Sequence, residues 1–194
     1  MYILAVDTST EIASVSILKN DTVVFEIADF GNRAHNQRLF DMIKESVVKC
    51  NIALNEIDLF AVGVGPGSFT GLRVGVSAIK GIAIGLNKKI IPIPSIDSVA
   101  LNAFENYPAE KYINVILEGR QKDFFHSKYS LHFNDIKKIS EIVVHPYEEY
   151  SYINGITVGN VPKEVIGLEK YYDGYNPNAV YIGRLAYARK EKGS

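Results

Sequence analysis

The chain has 194 residues, of which 47% are hydrophobic and 22% charged, and its formal net charge is −1. That length allows one domain or two small lobes, with a core large enough to fold without staples. The charge is spread evenly with no run of lysine or arginine, which excludes an electrostatic footprint for nucleic acid, and the single cysteine, Cys50, excludes an internal disulfide.

The opening Met1-Tyr-Ile-Leu-Ala-Val-Asp7 has no basic segment and meets a carboxylate at residue 7, unlike a secretory leader. The longest apolar stretch, Val74–Leu86, is interrupted by Lys80 and too short to span a bilayer. A cytoplasmic protein without a membrane partner is expected, and Cys50 fits that reducing compartment.

Residues 2–6 read as a buried strand, and the serine–apolar alternation of 12–18 as a strand covered on one face. A short polar connection, Thr8-Ser-Thr-Glu11, suits a hairpin, and Asn20-Asp21 turns the chain into a third strand at 23–28. Leu39, Met42, Ile43, Val47 and Cys50 sit at helical spacing and predict a helix over 36–50. A fourth strand over 59–64 leads through glycines 63, 65, 67 and 71 into a second helix over 72–86 rich in small residues. A fifth strand covers 90–93. A helix of about eight residues then follows Ser98. Strands are expected at 112–117, 123–131, 139–144 and 155–159, and a closing helix over 177–190 with Pro177 at its first position.

The order β-β-β-α-β-α matches one ribonuclease-H-like lobe, as used by actin, sugar kinases and heat-shock ATPases. By itself that analogy says little about activity. The expected organisation is an N-terminal lobe over 1–98, a smaller second lobe over 99–176 and a closing helix and tail over 177–194.

Two features could carry chemistry. Asp7 ends the first strand and is followed by Thr8 and Ser9. In actin-like kinases an aspartate here positions metal and phosphate, while in a plain hairpin it would satisfy turn N–H groups. The turn holding Gly65, Gly67 and Ser68 has the strand–glycine–helix form of an anion site, yet lacks the Gly-Lys-Ser/Thr of a Walker A loop. Glycines at this density also allow close backbone contact. Arg73 and Lys80 are the only charges on the following helix, so one face would lie on the sheet and another would be free for a partner. The four histidines, His35, His126, His132 and His145, form no His-x-x-x-His pair. No serine has partners that the sequence singles out as a hydrolase triad.

Asp7-Thr-Ser-Thr10, His35-Asn-Gln-Arg-Leu39 and Val62-Gly-Val-Gly-Pro-Gly-Ser-Phe-Thr-Gly-Leu-Arg-Val-Gly75 together resemble the bacterial TsaB (YeaZ) family. The resemblance is strong over 1–98 and weaker beyond, where Glu118-Gly-Arg120 stands at the family's usual Asp-Ala-Arg. It implies an α/β, actin-like ATPase (ASKHA, ribonuclease-H-like) fold of two lobes with a shortened second lobe.

The resemblance further implies a non-catalytic scaffold or activator of TsaD, working with TsaE. These place threonylcarbamoyl on the adenosine beside the anticodon of tRNAs reading codons that begin with A. Contact with tRNA would be indirect. The implied interface comprises His35, Arg38, Leu39, Met42, Ile43, Gly71, Leu72, Arg73, Gly75, Val76, Ala78, Ile79 and Ile82, on two helices that could also make a homodimer. Asp7, Thr8, Ser9, Gly65, Gly67 and Ser68 would be a vestigial or junction nucleotide site, with ATP or ADP and Mg only at the complex junction and no other cofactor or metal. Replacing Gly75 by leucine would then disturb pairing more than folding. The residues also admit an actin-like small-molecule kinase or ATPase, with Mg-ATP at Asp7 and a second phosphate turn at Gly155–Gly159. The family's older naming suggests a glycoprotease-like peptidase.

Overall fold

The computed structural model describes residues 1–30, 35–132, 135–153 and 155–190. The chain forms two compact units, one comprising Met1–Ser95 with the chain from Pro177 onward, the other Ile96–Asn176.

The first unit is built on a five-stranded sheet. Its strands are β1 (Tyr2–Asp7), β2 (Ala13–Lys19), β3 (Thr22–Asp29), β4 (Leu59–Gly63) and β5 (Lys89–Ile93), in the spatial order β3-β2-β1-β4-β5. The β1–β2 and β2–β3 pairs are antiparallel, whereas β1–β4 and β4–β5 are parallel. Alternate residues of β1 serve opposite faces, as strand geometry requires. Leu4 and Val6 join a core with Val15, Ile17, Phe60 and Val62 from the sheet, and with Leu39, Met42, Ile43, Ile79 and Ala83 from two helices. Those helices are α1 (His35–Lys49) and α2 (Phe69–Gly85). Full burial of each such side chain contributes about 1.5–3 kcal/mol, so this stripe decides how both helices lie.

Both helices end the same way. Asn51 follows α1 at φ +51° and Asn87 follows α2 at φ +52°. Ile52 N–H donates to Val47 O (3.1 Å), and Lys88 N–H to Ala83 O (2.9 Å). These are the six-to-one bonds of a Schellman stop, with asparagine in the left-handed position. The start of α2 falls three residues before the expected one. Ser68 caps it by accepting from Gly71 N–H at 3.3 Å, which draws part of the glycine turn into the helix.

The closing helix α4 (Ala179–Arg189) packs on the first sheet rather than standing apart. Its Gly183 lies against Leu18 and Ala5, and Ala179 N–H donates to Ser14 Oγ at 3.0 Å. Asn178 is the N-cap, so Pro177 precedes the helix instead of opening it.

The second unit holds a six-stranded sheet. Helix α3 (Ser95–Asn106) leads into β6 (Ile113–Glu118), β7 (Asp123–His132), β8 (Asp135–Lys138), β9 (Val143–Pro146), β10 (Thr157–Gly159) and β11 (Tyr171–Tyr172). The order is β11-β10-β6-β7-β8, with β9 also paired to β7. α3 has twelve residues and starts at Ser95, earlier and longer than expected. The strand expected over 139–144 is instead broken. β8 and β9 lie along successive stretches of β7, and between them Ser140 stands in for the ladder, its Oγ accepting from Lys128 N–H (3.0 Å) and its carbonyl from Ser127 Oγ (2.8 Å). Such an interruption of an edge strand discourages pairing with another chain. The core of this unit gathers Ile116, Phe124, Ile153, Val161, Ile166 and Tyr171. Among the described residues no helix is long and apolar enough to cross a membrane.

Candidate functional site

In the parallel β1–β4 ladder Val6 lies beside Val62, so Asp7 and Gly63 are the next neighbours. Any Cβ at residue 63 would collide with Asp7 Oδ2 and approach Ser95 Oγ to 2.7 Å. The carboxylate, 0% exposed, fills the space the glycine leaves. Asp7 Oδ1 accepts from Ser9 N–H (2.9 Å) and Ser9 Oγ (2.6 Å), and Oδ2 accepts from Ser95 Oγ (2.6 Å). Ser95 Oγ in turn accepts from Gly65 N–H at 3.0 Å. Burial pushes the Asp7 carboxyl above its ordinary value, against the opposing pull of the Ser9 and Ser95 bonds.

The glycines of the turn face the β1–β2 loop of the same chain. Gly65 sits at φ +95°, a conformation that favours glycine. A Cβ on Gly67 would strike Ser9 O, to which Ser68 N–H donates at 2.6 Å. A Cβ on Gly71 would strike Thr8 O, and one on Gly75 would strike Thr8 Oγ1. Thr8 Oγ1 donates to Gly71 O at 2.7 Å.

The structure therefore brings Asp7, Thr8, Ser9, Gly65, Gly67 and Ser68 together, but bonds their polar groups to one another, to Ser95 and to Gly71. The N–H groups of Ser9, Gly65 and Ser68 are all bonded within the chain, and neither Asp7 nor Thr8 is exposed. These residues do not fit the phosphates and metal of a nucleotide bound as in an actin-like kinase. Asp7 Oδ1 accepts from the Ser9 N–H of the turn, as in a plain hairpin, while Oδ2 accepts from the distant Ser95. Of the second turn, Gly159 lies in β10 with Ile116 O where its Cβ would stand, which closes that end of the turn to a phosphate.

The interface expectation also changes. Leu39, Met42, Ile43, Gly71, Gly75 and Ile79 are buried inside the first unit and cannot face a partner. Ala78 is nearly covered, and Val76 and Ile82 are partly buried on the same core. Gly75→Leu would disturb folding first, the reverse of the expectation. Arg38 is exposed and pairs with Asp29 at 3.1 Å, an ion pair worth little in solvent. The side chain of His35 lies outside the described residues.

What faces outward is a different set. Phe40 and Val48 on α1 are 53% and 66% exposed, and Phe69 and Ile84 on α2 are 63% and 71% exposed. Between the helices runs a groove of about 520 Å³ lined by Phe40, Thr70, Arg73, Val74, Ser77 and Ala78. The Arg73 guanidinium lies 5.3 Å from the centre of the Phe69 ring. Exposed large apolar side chains of this kind are a common feature of interaction surfaces. Sequence reading missed Phe40 and Val48 because they stand off the main stripe. Their spacing of eight residues, two helical turns on one face, was the available signal.

In the second unit His126 Nε2 lies 3.1 Å from Asn114 Oδ1, and its ring centre is 6.1 Å from that of His145. Burial, then the His145 and Lys128 charges, lower its pKa from 6.5 to about 4. The unfolded chain therefore binds a proton in this interval that the folded chain refuses. Stability is expected to fall as pH drops from about 6.5 towards 4. Thermal melts between pH 7 and 4.5 test this, and His126→Gln should flatten the profile over that range. Among the described residues no group of three or more His, Cys, Asp or Glu is placed to hold a metal ion.

With two sheet-and-helix units and this strand order, the chain has an α/β fold of the actin-like ATPase (ASKHA) type. A family model, TsaD: tRNA N6-adenosine threonylcarbamoyltransferase, matches residues 23–185. The chain is 37% identical over 128 residues to the tRNA threonylcarbamoyladenosine biosynthesis protein TsaB of Haemophilus influenzae, covering 66% of this chain and 53% of that protein. It is 31% identical over 168 residues to TsaB of Escherichia coli, covering 82% of this chain and 71% of that one. The chain thus spans about half the length of the first of these relatives. YeaZ from Pseudomonas aeruginosa superposes with a TM-score of 0.87 at 23% identity, covering 99% of this chain and 93% of that one, a likeness of fold. The chain belongs to the TsaB (YeaZ) family.

Proposed function

We propose that this protein is a non-catalytic partner of a TsaD-type transferase in threonylcarbamoylation of the adenosine beside the anticodon. The observation that carries this reading is the exposure of Phe40 and Val48 on α1 and of Phe69 and Ile84 on α2, beside the groove that Phe40 and Arg73 help to line. Family membership supplies the reaction in which such a partner acts. The Asp7 turn supports the non-catalytic role, since its polar groups are occupied by the protein itself.

The partner docks through this face, with TsaE joining the assembly, and any ATP or ADP and Mg belong to the junction and not to the Asp7 turn. Without TsaD the same face pairs two copies of the chain. Contact with tRNA is indirect, consistent with a net charge of −1, and the assembly works in the cytoplasm. Docking activates by favouring one state of TsaD, which requires unequal affinity for two TsaD states.

Titration calorimetry with TsaD from the same organism tests this directly. A saturable one-to-one complex of micromolar or better affinity is expected. Absence of heat and of co-elution at tens of micromolar would contradict the reading.

A further inference from the structure

We infer that Thr8 is a positioning residue that sets how deeply α2 seats on the sheet, and thereby shapes the docking face on the opposite side of that helix. The inference rests on the proposed docking role of that face. Gly71 and Gly75 are one helical turn apart and present a strip without side chains to the β1–β2 loop. Thr8 enters that strip and is itself 0% exposed. Its hydroxyl donates to Gly71 O at 2.7 Å, and the same oxygen occupies the position that a Cβ on Gly75 would need. Ser68 N–H, held by Ser9 O at 2.6 Å, pins the entry to α2 from the adjacent residue of the loop.

Thr70, Arg73, Val74 and Ser77 interleave with Gly71 and Gly75 on this same stretch of helix and line the groove. An outward shift of α2 at Thr8 therefore moves the groove wall against Phe40 on α1. Close-packed interiors transmit such shifts and do not absorb them.

The two glycines predict opposite responses to one companion substitution. A Cβ at residue 75 collides with the Thr8 side chain, and with the hydroxyl and methyl removed the nearest Thr8 atom is its Cβ at 3.5 Å, an ordinary contact. A Cβ at residue 71 collides with the Thr8 backbone carbonyl, which no side-chain change relieves.

The experiment compares Gly75→Ala, Gly71→Ala and each combined with Thr8→Ala, by TsaD affinity and by amide hydrogen exchange along α2. Gly75→Ala is expected to weaken TsaD binding at least tenfold and to speed exchange in the first two turns of α2. Measured against Thr8→Ala alone, adding Gly75→Ala should change either readout less than threefold, because the collision is gone, whereas adding Gly71→Ala should still cost tenfold or more. Equal rescue of both glycine variants, or Gly75→Ala behaving as the parent protein, would overturn the inference.

Should Gly75→Ala fail to fold, Thr8→Val carries the test, because it keeps the shape and loses only the hydroxyl. About tenfold weaker binding with a melting temperature within a few degrees of the parent is expected, with recovery in Thr8→Ser. Unchanged binding in Thr8→Val would overturn the inference. If the parent protein itself does not bind TsaD, the docking role falls, while the exchange pattern still decides whether Thr8 seats α2.

Discussion

Replacing both Phe40 and Ile84 by aspartate is expected to leave a folded protein that no longer binds TsaD. The two side chains are 53% and 71% exposed in the free protein, so changing them costs the fold little. In a complex the same positions would be covered, and each carboxylate would lose water without gaining a designed partner. An apolar anchor at the centre of an interface typically contributes about 2 kcal/mol or more, or roughly thirtyfold in affinity per site. The pair should therefore weaken binding by about a thousandfold if the two sites act independently. Calorimetry measures the loss, and a melting temperature within a few degrees of the parent separates it from unfolding. Retained affinity in a folded double variant would move the docking surface elsewhere.

Gly63→Ala should have the largest effect on stability. The new methyl would occupy the place of Asp7 Oδ2 and crowd Ser95 Oγ, in a strand paired on both sides by β1 and β5. The strand cannot retreat, so the Asp7 carboxylate must leave its hole and abandon its bonds from Ser9 and Ser95. Overpacking costs about 1–3 kcal/mol, and each buried group left without a partner about 1–3 more. A loss of about 3–5 kcal/mol is expected, a large share of the 5–15 kcal/mol that typically separates folded from unfolded protein. Gly81→Ala is the contrasting control. Nothing lies within 4 Å of a Cβ there, so the better helix former should raise stability by about 0.5–1 kcal/mol. Denaturant melts of both variants check the signs.

Much of the first unit was legible because its signals are local. The Asn20-Asp21 turn, the α1 stripe and the passage from β4 through glycines into α2 each depend on neighbours within a few residues. What those glycines touch was not legible. In the sequence Gly71 and Gly75 read first as a strip for another chain, with burial within this one as the alternative. The decision lies with Thr8, more than sixty residues away and brought near by the β1–β4 pairing.

The same limit explains the Asp7 turn. Its partner Ser95 opens α3 at a separation of 88 residues, and no spacing rule joins them. Attachment of α4 to the first sheet, through Ser14 and Ala179 at a separation of 165 residues, is a further long-range contact of this kind. In the second unit the break between β8 and β9 was hidden because Ser140 replaces a strand partner with a side chain, a substitution that no periodicity signals.

On the proposed function, this chain activates a transferase without performing the chemistry. The most direct test is formation of threonylcarbamoyladenosine on tRNA in a mixture of TsaD, TsaE, the adenylate-forming synthase, ATP, threonine and bicarbonate, with and without this protein. Modified adenosine is expected to accumulate only when the protein is present, and the Phe40→Asp, Ile84→Asp variant is expected not to replace it. An equal yield without the protein would rule out the activator role.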